Sequence, residues 1–418
     1  MRGTARTTII QKTGVLLCIA GFGTIKTAMR ICHVITRMIV GGAQENTLAT
    51  VRGLAARGHE VTLISGPAEA EQGALLDYTA PAAPAFHYIT LPHLVRDIQP
   101  ARDLAAYRAL ARHFGATPYD VIHTHSSKAG ILGRLAARRA RARGTRVVHT
   151  IHGLAFDAYQ PWLLKRVYIG LERGCARHTD KLVSVCDAMT QQALAAGVGT
   201  PDQYCTVYSG MDVASFRAAR AGGTAWRARH GIAPDALVLL CISRLFPMKG
   251  VEDFVDVVGA AQRTLPGQVV GVIVGDGPLR SQIEAQACAA GLAPSLVFAG
   301  LVAPGEIPAW VGAADALVHA SLREGLARTL VQALAGGKPV FAYDIGGARE
   351  IVQQDGNGAL APAGACAALT AHVQRFVGDA MYRARVTAGA QQTDVARFDA
   401  AHMVAALEAL YLDFQQRP

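Results

Sequence analysis

The sequence predicts an α/β protein of two domains, each built on a parallel sheet. Three observations support this prediction. Short apolar runs typical of buried strands alternate with longer segments of helical periodicity along most of the chain. The chain has 418 residues and is 51% hydrophobic, which is enough for two cores of ordinary domain size. A polar stretch that contains Gly222 and Gly223 separates the two alternating regions.

We divide the chain into an N-terminal extension (1–28), a first domain (29–209), a junction (210–235), a second domain (236–395) and a closing helix (396–418). The extension places basic residues before a short apolar run, an arrangement that resembles a signal peptide. No A-x-A cleavage pattern follows the run. We therefore expect translation to begin at Met29.

The first domain opens with a strand over 31–37, and Gly41 and Gly42 then begin a helix over 43–57. A strand over 61–65 completes a right-handed strand, helix, strand unit. A glycine pair after a strand lets the backbone approach a phosphate or an acceptor. It is not a G-x-G-x-x-G fingerprint, so the sequence does not favour a nicotinamide or flavin cofactor.

Two further predicted strands, within 120–130 and 147–153, end in histidines. His125 and His152 would therefore face a ligand crevice at the sheet edge, with Lys128 close by. A simpler interpretation, in which His152 only bonds a backbone carbonyl, stays open. A zinc site built from the histidines of this region lacks the cysteine or carboxylate spacing that such sites show, so we expect no metal there (His123, His125, His149, His152).

The second domain begins with a strand over 237–243 that leads into Arg244 and Lys249, ahead of a helix over 251–264. Two fixed cations at the carboxyl edge of a sheet could neutralise a diphosphate without a metal. The alternative is a pair of solvated charges in a loop. The next strand, 269–274, ends in a tight turn formed by Gly275, Asp276 and Gly277.

A strand over 316–319 and a turn over 321–325 then lead into a helix that ends at 336–337. Free amides at a helix start suit a diphosphate. Glu324 and Gln332 are separated by roughly 12 Å if both are helical, about the span from a sugar across a diphosphate to a ribose. The alternative without a functional role is that Glu324 is a surface glutamate on an amphipathic helix.

Strands over 297–299 and 340–343 complete the second sheet, and a short helix after the second of them carries Glu350. The last predicted helix, 396–414, has one broad apolar face formed by Phe398, Met403, Val404, Leu407, Leu410 and Tyr411.

Taken together, these motifs and their order resemble the retaining glycosyltransferases of family 4. In that family a Glu, seven residues and a second Glu hold the sugar and the ribose of the donor, and the matching positions here are Glu324 and Gln332. The resemblance implies a GT-B fold, two facing Rossmann-like domains with the donor held mainly by the second. It also implies that the last helix packs back onto the first domain. Three positions depart from the family pattern: Met248, Ala327 and Gln332.

The resemblance also assigns roles to single residues. The implied catalytic residues are His152, Arg244, Lys249 and Glu324. The implied donor-binding residues are Gly41, Gly42, Gly275, Asp276, Gly277, Gly325, Leu326 and Gln332. His125 and Lys128 are candidates for contact with the acceptor.

The implied activity is metal-independent transfer of a sugar, with retention, from a nucleotide sugar of the UDP type to a lipid-linked saccharide. The histidine motifs look most like those of enzymes that build capsule, exopolysaccharide or O-antigen units. No Asp-x-Asp occurs in the chain, and we expect no cofactor. The alternatives are a sugar-nucleotide epimerase or phosphorylase, and a degenerate subunit that binds nucleotide sugar without turnover.

A formal net charge of +10 suggests a polyanionic partner, and the densest basic patch covers 134–146. Aromatic residues make up only 6%, which disfavours nucleic acid and leaves an anionic membrane surface as the partner. A helix over 104–114 is a second candidate for membrane contact, and solvated faces are the alternative for both. Eight scattered cysteines and no apolar stretch of membrane-spanning length predict a cytoplasmic protein that contacts the inner face of the cell membrane.

Overall fold

The computed structural model describes residues 28–68, 75–78 and 86–416, so nearly all of the predicted extension lies outside the described residues. Its first sheet has seven parallel strands in the order β3-β2-β1-β4-β5-β6-β7. The strands are β1 (Arg30–Arg37), β2 (Glu60–Gly66), β3 (His87–Thr90), β4 (Val121–His125), β5 (Arg146–Ile151), β6 (Lys181–Ser184) and β7 (Tyr204–Thr206).

The second sheet has six parallel strands in the order β10-β9-β8-β11-β12-β13. They are β8 (Leu237–Ile242), β9 (Val269–Val274), β10 (Leu296–Gly300), β11 (Ala316–His319), β12 (Val340–Tyr343) and β13 (Gly358–Ala361). The predicted α/β architecture with two parallel sheets is therefore confirmed, although β3, β6, β7 and β13 were not predicted.

Helices cover the faces of both sheets. Those of the first half are α1 (Gly42–Ala56), α2 (Pro100–Ala116), α3 (Ser127–Ala136), α4 (Arg138–Arg141), α5 (Trp162–Ala176) and α6 (Asp187–Ala195). Those that follow are α7 (Val213–Ala219), α8 (Gly223–Arg229), α9 (Val251–Thr264), α10 (Arg280–Ala289), α11 (Ile307–Ala313), α12 (Arg328–Ala335), α13 (Cys366–Gly378), α14 (Ala380–Gln392) and α15 (Ala400–Gln416). Because helices lie on both faces, central strands such as β1 and β8 are buried almost throughout.

Each sheet has a point at which the strand order reverses. In the first sheet this point lies between β1 and β4, and in the second between β8 and β11. Connections leave such a pair of strands on opposite sides, which opens a crevice at their carboxyl ends. The loops after β1, β8 and β11 carry Gly41, Arg244 and Glu324 respectively, so the topology brings the predicted site residues to these crevices.

The helix that follows Glu324 differs from the prediction. It was expected to begin directly after Gly325, but α12 begins at Arg328. The carbonyl of Gly325 accepts a hydrogen bond from the amide of Gly347 at 2.9 Å, so it does not start the helical hydrogen-bond series. Glu324 therefore lies in a loop, and the distance estimated along a continuous helix to Gln332 does not apply.

The closing helix packs back onto the first half, as the resemblance implied. Met403, Leu407 and Tyr411 of α15 belong to the same buried cluster as residues of β1 and α1. Its predicted start was wrong, because α15 begins at Ala400 and Phe398 lies in a preceding short turn. Phe398 packs in the core cluster of the second sheet instead.

The segment placed at the junction, residues 210–235, contains two short helices, α7 and α8. Phe216 and Trp226 project from them into the core cluster that covers one face of the second sheet. Among the described helices, none has both the length and the apolar character needed to cross a membrane.

Both segments predicted to contact a membrane have side chains that are buried inside the protein. Leu110 and Phe114 of α2 are fully buried, so that helix cannot present them to lipid. In the patch over 134–146, Arg134 is buried against Glu172 at 2.7 Å, and Arg141 pairs with Asp180. The first candidate therefore keeps Leu104 as its large exposed apolar side chain, and ion pairs neutralise part of the charge of the second candidate.

Candidate functional site

Two adjoining cavities lie between the two halves of the chain. Their volumes are about 630 and about 870 Å³, and Arg244, Phe246, Lys249 and Glu324 line both of them. The first cavity is also lined by most of the predicted donor-binding residues: Gly41, Gly42, Gly275, Asp276, Gly277, Leu326 and Gln332. The second is lined by His152 and Gly325. The structure thus brings three of the four predicted catalytic residues to the place where the cavities meet, and the fourth, His152, to the second cavity.

Lys249 and Glu324 form an ion pair at the centre of this region. The Lys249 ammonium lies 2.5 Å from Oε1 of Glu324, and about a fifth of each side chain is exposed. Burial by itself raises the pKa of the Glu324 carboxyl, but the Lys249 ammonium and His319 lower it more, so this pKa lies well below its usual value. Glu324 is consequently an anion at every physiological pH.

Arg244 brings further positive charge to the same place. Burial lowers the pKa of its guanidinium, and the neighbouring Arg37 and Arg96 lower it further. Its guanidinium carbon lies 5.1 Å from the centre of the Phe246 ring. Like charges that lower one another's pKa favour a bound anion, because an anion relieves their repulsion.

Two glycines let the turn after β9 approach the loop that carries Arg244. Gly275 has a φ of 135°, and a Cβ there would lie 1.9 Å from the carbonyl oxygen of Ser243. A Cβ on Gly277 would lie 2.4 Å from the carbonyl oxygen of Leu245. No other amino acid fits this contact, which explains the spacing of the two glycines.

On the opposite wall, Gly42 at the start of α1 lies against the Arg328 side chain. A Cβ on Gly42 would be 2.9 Å from Cδ of Arg328. Arg328 in turn pairs with Glu45 of α1 at 3.0 Å and donates to the carbonyl of Gly210 at 2.9 Å. The start of α1 and the start of α12 are therefore in direct contact at the first cavity.

His152 follows β5 and lies against the loop that carries Glu324. A Cβ on Gly325 would be 2.5 Å from the carbonyl oxygen of His152. Burial, and to a lesser degree the positive charge of Arg328, lowers the pKa of His152 to about 3. Its Nε2 lies 3.1 Å from Nδ1 of His125. His152 is therefore a neutral ring at neutral pH, held by another histidine and not by a backbone carbonyl.

The two candidates for acceptor contact lie elsewhere than predicted. His125 is 1% exposed, and its two ring nitrogens bond His33 and His152. Lys128 forms an ion pair with Asp103 at 2.5 Å. A buried ring cannot contact an acceptor directly, so His125 could act only through His152.

The four histidines weighed as a zinc site do not form one group, because strand side chains alternate between faces. His149 bonds Thr124 at 2.9 Å, whereas His123 bonds Tyr411 and Thr150. The structure instead places ring nitrogens of three histidines within 4.8 Å of one another: His33, His123 and His125. Both nitrogens of His123 already have hydrogen-bond partners, so this group offers fewer than the four free ligands of a structural zinc site.

Sequence reasoning missed three titratable residues that line the first cavity: Glu45, His319 and Arg328. Nε2 of His319 lies 3.5 Å from Glu324. His319 ends strand β11, so the argument applied to His152 would have found it. The pairing of Glu45 with Arg328 spans 283 positions in the sequence and carries no local signal.

Two family models match the chain, one for each half. Residues 41–210 match the glycosyl transferase 4-like domain, and residues 223–393 match the glycosyl transferases group 1. The first match covers most of the first sheet without β1, and the second match covers the whole second sheet.

Characterised relatives cover most of the chain. An Escherichia coli UDP-Gal:alpha-D-GlcNAc-diphosphoundecaprenol alpha-1,3-galactosyltransferase is 29% identical over 334 residues, which are 79% of this chain and 84% of that enzyme. A D-inositol 3-phosphate glycosyltransferase of Actinosynnema mirum is 30% identical over 343 residues, 77% of this chain and 80% of that enzyme.

Solved structures share the fold. The Anabaena protein HepE in complex with UDP-glucose superposes with a TM-score of 0.74 at 24% identity, over 91% of this chain and 99% of that one. The sucrose-phosphate synthase of Thermosynechococcus elongatus gives a TM-score of 0.78 at 19% identity, over 93% of this chain and all of that one. The fold is therefore GT-B, and with the two family matches and the relatives this shows that the chain is a glycosyltransferase of the group 1 family.

Proposed function

We propose that the protein transfers a sugar, with retention and without a metal ion, from a nucleotide sugar of the UDP type to a lipid-linked saccharide or polysaccharide precursor. One observation carries this proposal. Arg244 and Lys249 lie where the two cavities meet, and Glu324, which pairs with Lys249, lies there too. Such an arrangement can hold a diphosphate in the first cavity with its sugar directed into the second.

The positive charges support departure of a nucleoside diphosphate. Burial, and then the charges of Arg37 and Arg96, lower the pKa of Arg244, so the site stabilises an anion that arrives or forms there. Fixed cations of this kind lower the barrier for a leaving group that gains charge in the transition state. The donor's C1–O bond to the diphosphate would break at this point, and the cations would take up the role that a metal has elsewhere.

A front-face route fits the state of Glu324. Its carboxylate is paired with Lys249 at 2.5 Å, which favours a role in binding sugar hydroxyls over attack on the anomeric carbon. In the route that the family resemblance implies, the acceptor oxygen bonds to C1 on the face that the leaving group vacates. The acceptor's proton passes to a phosphate oxygen of the departing diphosphate, so the configuration is kept.

The choice of donor and acceptor rests on similar proteins. The E. coli relative is named for a UDP-Gal donor and a diphosphoundecaprenol acceptor, and the Anabaena structure contains UDP-glucose. Gly275, Asp276 and Gly277 line the same cavity as Gln332, so a glycine turn and a side-chain amide face one space. A uridine and its ribose would lie between them.

Nucleotide binding is the first test. Thermal stabilisation by UDP, GDP and ADP is measured with and without a chelator, for the wild-type protein and for Lys249→Ala. A shift with UDP that survives the chelator and is lost in the variant supports the donor site, and a ligand at a hundred times its Kd adds about 2.7 kcal/mol. No shift at millimolar nucleotide would contradict the site.

Turnover is tested with UDP-sugars and a polyprenyl-diphosphate-linked acceptor, with the product's anomeric configuration read by NMR. Retention without added metal is the expected result. Inversion, or dependence on a divalent ion, contradicts the mechanism. Release of free sugar or sugar phosphate without an acceptor would point to the epimerase or phosphorylase alternative. Binding without any turnover would point to a degenerate subunit.

A lipid-linked acceptor also calls for membrane contact, and the face of α5 fits it better than the surfaces predicted from sequence. Trp162 and Leu163 are 68% and 61% exposed, and Leu164, Val167 and Leu171 are exposed beside them. Lys165, Arg166, Arg173 and Arg177 supply the charges of this segment, whereas its one acid, Glu172, is buried against Arg134. The surface therefore combines apolar side chains with positive charge, the combination that favours an anionic bilayer.

Sedimentation with vesicles of neutral or anionic phospholipid tests this contact. Trp162→Asn with Leu163→Asn is expected to weaken binding to anionic vesicles by roughly a hundredfold, at about 1.5 kcal/mol for each buried side chain. Met381→Asn, at a side chain that is 85% exposed elsewhere, is the matched control and is expected to bind as the wild type does. Equal binding by all three proteins would contradict the assignment.

A further inference from the structure

Three histidine rings are joined end to end between the centre of the first sheet and the second cavity. Nδ1 of His33, on β1, lies 2.9 Å from Nε2 of His125, on β4. Nδ1 of His125 lies 3.1 Å from Nε2 of His152, after β5. The rings of successive pairs are nearly parallel, with centres 5.2 and 5.3 Å apart. We call this group the histidine chain.

The members of the histidine chain are neutral rings. Burial lowers the pKa of both His33 and His152 to about 3, and burial with the neighbouring histidines lowers that of His125. A neutral imidazole carries one N–H and one lone pair. Each of the two nitrogen-to-nitrogen hydrogen bonds needs one proton and one lone pair. All three rings must therefore carry their proton on the same nitrogen, either Nδ1 or Nε2.

The two ends of the histidine chain differ. Nε2 of His33 is buried and has no hydrogen-bond partner within the described part of the protein. At the other end, His152 lines the second cavity, and among the described residues none bonds its Nδ1. One end is closed inside the protein, and the other is open to a ligand.

Stability alone does not account for His33. A buried nitrogen without a partner costs free energy, and its neighbours on β1 at positions 31, 34 and 35 are apolar and fully buried. Apolar side chains at positions 33 and 125 together would avoid that cost, because Nε2 of His125 would otherwise lose its partner in turn. A polar ring at the centre of a sheet, bonded toward a cavity, indicates a role at the cavity.

We propose that His33 and His125 are positioning residues that fix the ring plane and the tautomer of His152 toward the donor sugar. This inference rests on the proposed function, because the sugar is the ligand that His152 would meet. With the tautomer fixed, Nδ1 of His152 either donates to a sugar hydroxyl in every molecule or accepts from one in every molecule. A ring free to exchange would present the wrong partner part of the time.

The test compares His33→Leu with His33→Asn in the full-length protein. The side-chain amide of asparagine lies close to the position of Nδ1 and can still donate or accept, whereas leucine can do neither. Leucine removes the unpartnered Nε2 of His33 but leaves Nε2 of His125 unpartnered, so the melting temperature should change little. Loss of one positioning hydrogen bond should lower kcat/KM about fivefold to tenfold in His33→Leu, with recovery in His33→Asn.

NMR of protein labelled with ¹⁵N in its histidine rings provides a readout that does not depend on activity. The wild type is expected to show one tautomer, the same in all three rings, and His125→Leu, which removes the direct partner of His152, a mixture at His152. Different or mixed tautomers in the wild type would overturn the inference, as would His33→Leu and His125→Leu variants with unchanged spectra and kinetics. If the spectra agree but no sugar is transferred, the proposed function fails and the histidine chain stands.

Discussion

Replacement of Lys249 by alanine tests the centre of the site most directly. The Lys249 ammonium lies 2.5 Å from Glu324, and the side chains are only 21% and 18% exposed. Without the ammonium, the Glu324 carboxylate stays largely buried without its partner. Breaking a fully buried pair costs about 3–5 kcal/mol, and the remaining exposure reduces this to about 2 kcal/mol.

The expected loss of activity is larger than the loss of stability. Removing one group that stabilises charge developing in the transition state lowers kcat by roughly 10² to 10³. Gln332→Ala should lower kcat/KM by less than about tenfold, since Gln332 offers only neutral hydrogen bonds to the ribose. Loss of the Lys249 side chain is therefore expected to lower activity far more than loss of the Gln332 side chain, although both residues line the first cavity.

The assay is initial-rate kinetics with a UDP-sugar, together with thermal unfolding of each variant. Two controls separate charge from folding. Lys249→Arg keeps a cation in a different geometry and should retain part of the activity. Lys249→Ala with Glu324→Gln removes the stranded carboxylate and should regain stability without activity. Equal losses of kcat/KM in Lys249→Ala and Gln332→Ala would refute the reasoning.

Three further predictions follow from the same geometry. Gly275→Ala should unfold at a markedly lower temperature, because its Cβ would lie 1.9 Å from the Ser243 carbonyl oxygen, whereas Gly222→Ala, with open space around it, should not. Arg328→Ala, by breaking the contact with Glu45 and Gly210, should raise KM for the donor more than it lowers stability, and unchanged kinetics would contradict this. Acid should destabilise the fold, since burial lowers the pKa of five histidines and only the unfolded chain takes up their protons near pH 6. Unfolding free energies should be level above about pH 6.5 and fall below it, by up to about 1.4 kcal/mol per pH unit for each of His33, His123, His125, His149 and His152. A profile that stays level down to pH 5 would contradict it.

Much of the secondary structure and several site positions could be predicted from local patterns. The strands over 269–274 and 340–343 and the helix over 251–264 have the predicted bounds. These elements are buried on one or both faces, so their apolar periodicity is strong. The edge strand β3 was not predicted, because its four residues are mostly exposed and show no such pattern.

The start of α12 shows where local patterns stop being sufficient. The residues after Gly325 have helical character, but the carbonyl of Gly325 bonds the amide of Gly347 in the next loop. A partner 22 positions away thus decides where the helix begins. The helix α2 shows the same limit, because its amphipathic periodicity does not reveal that Leu110 and Phe114 pack against the sheet.

By itself the sequence determined the two parallel sheets, the glycine turns at their edges and the charged residues after β8 and β11, because each depends on neighbours in the chain. Only the tertiary structure decided that Lys249 pairs with Glu324, that Arg328 reaches Glu45 and that His33, His125 and His152 form one chain. The members of these contacts lie up to 283 positions apart. Their meeting depends on strand order and on how the two halves pack, and side-chain periodicity carries no information about either.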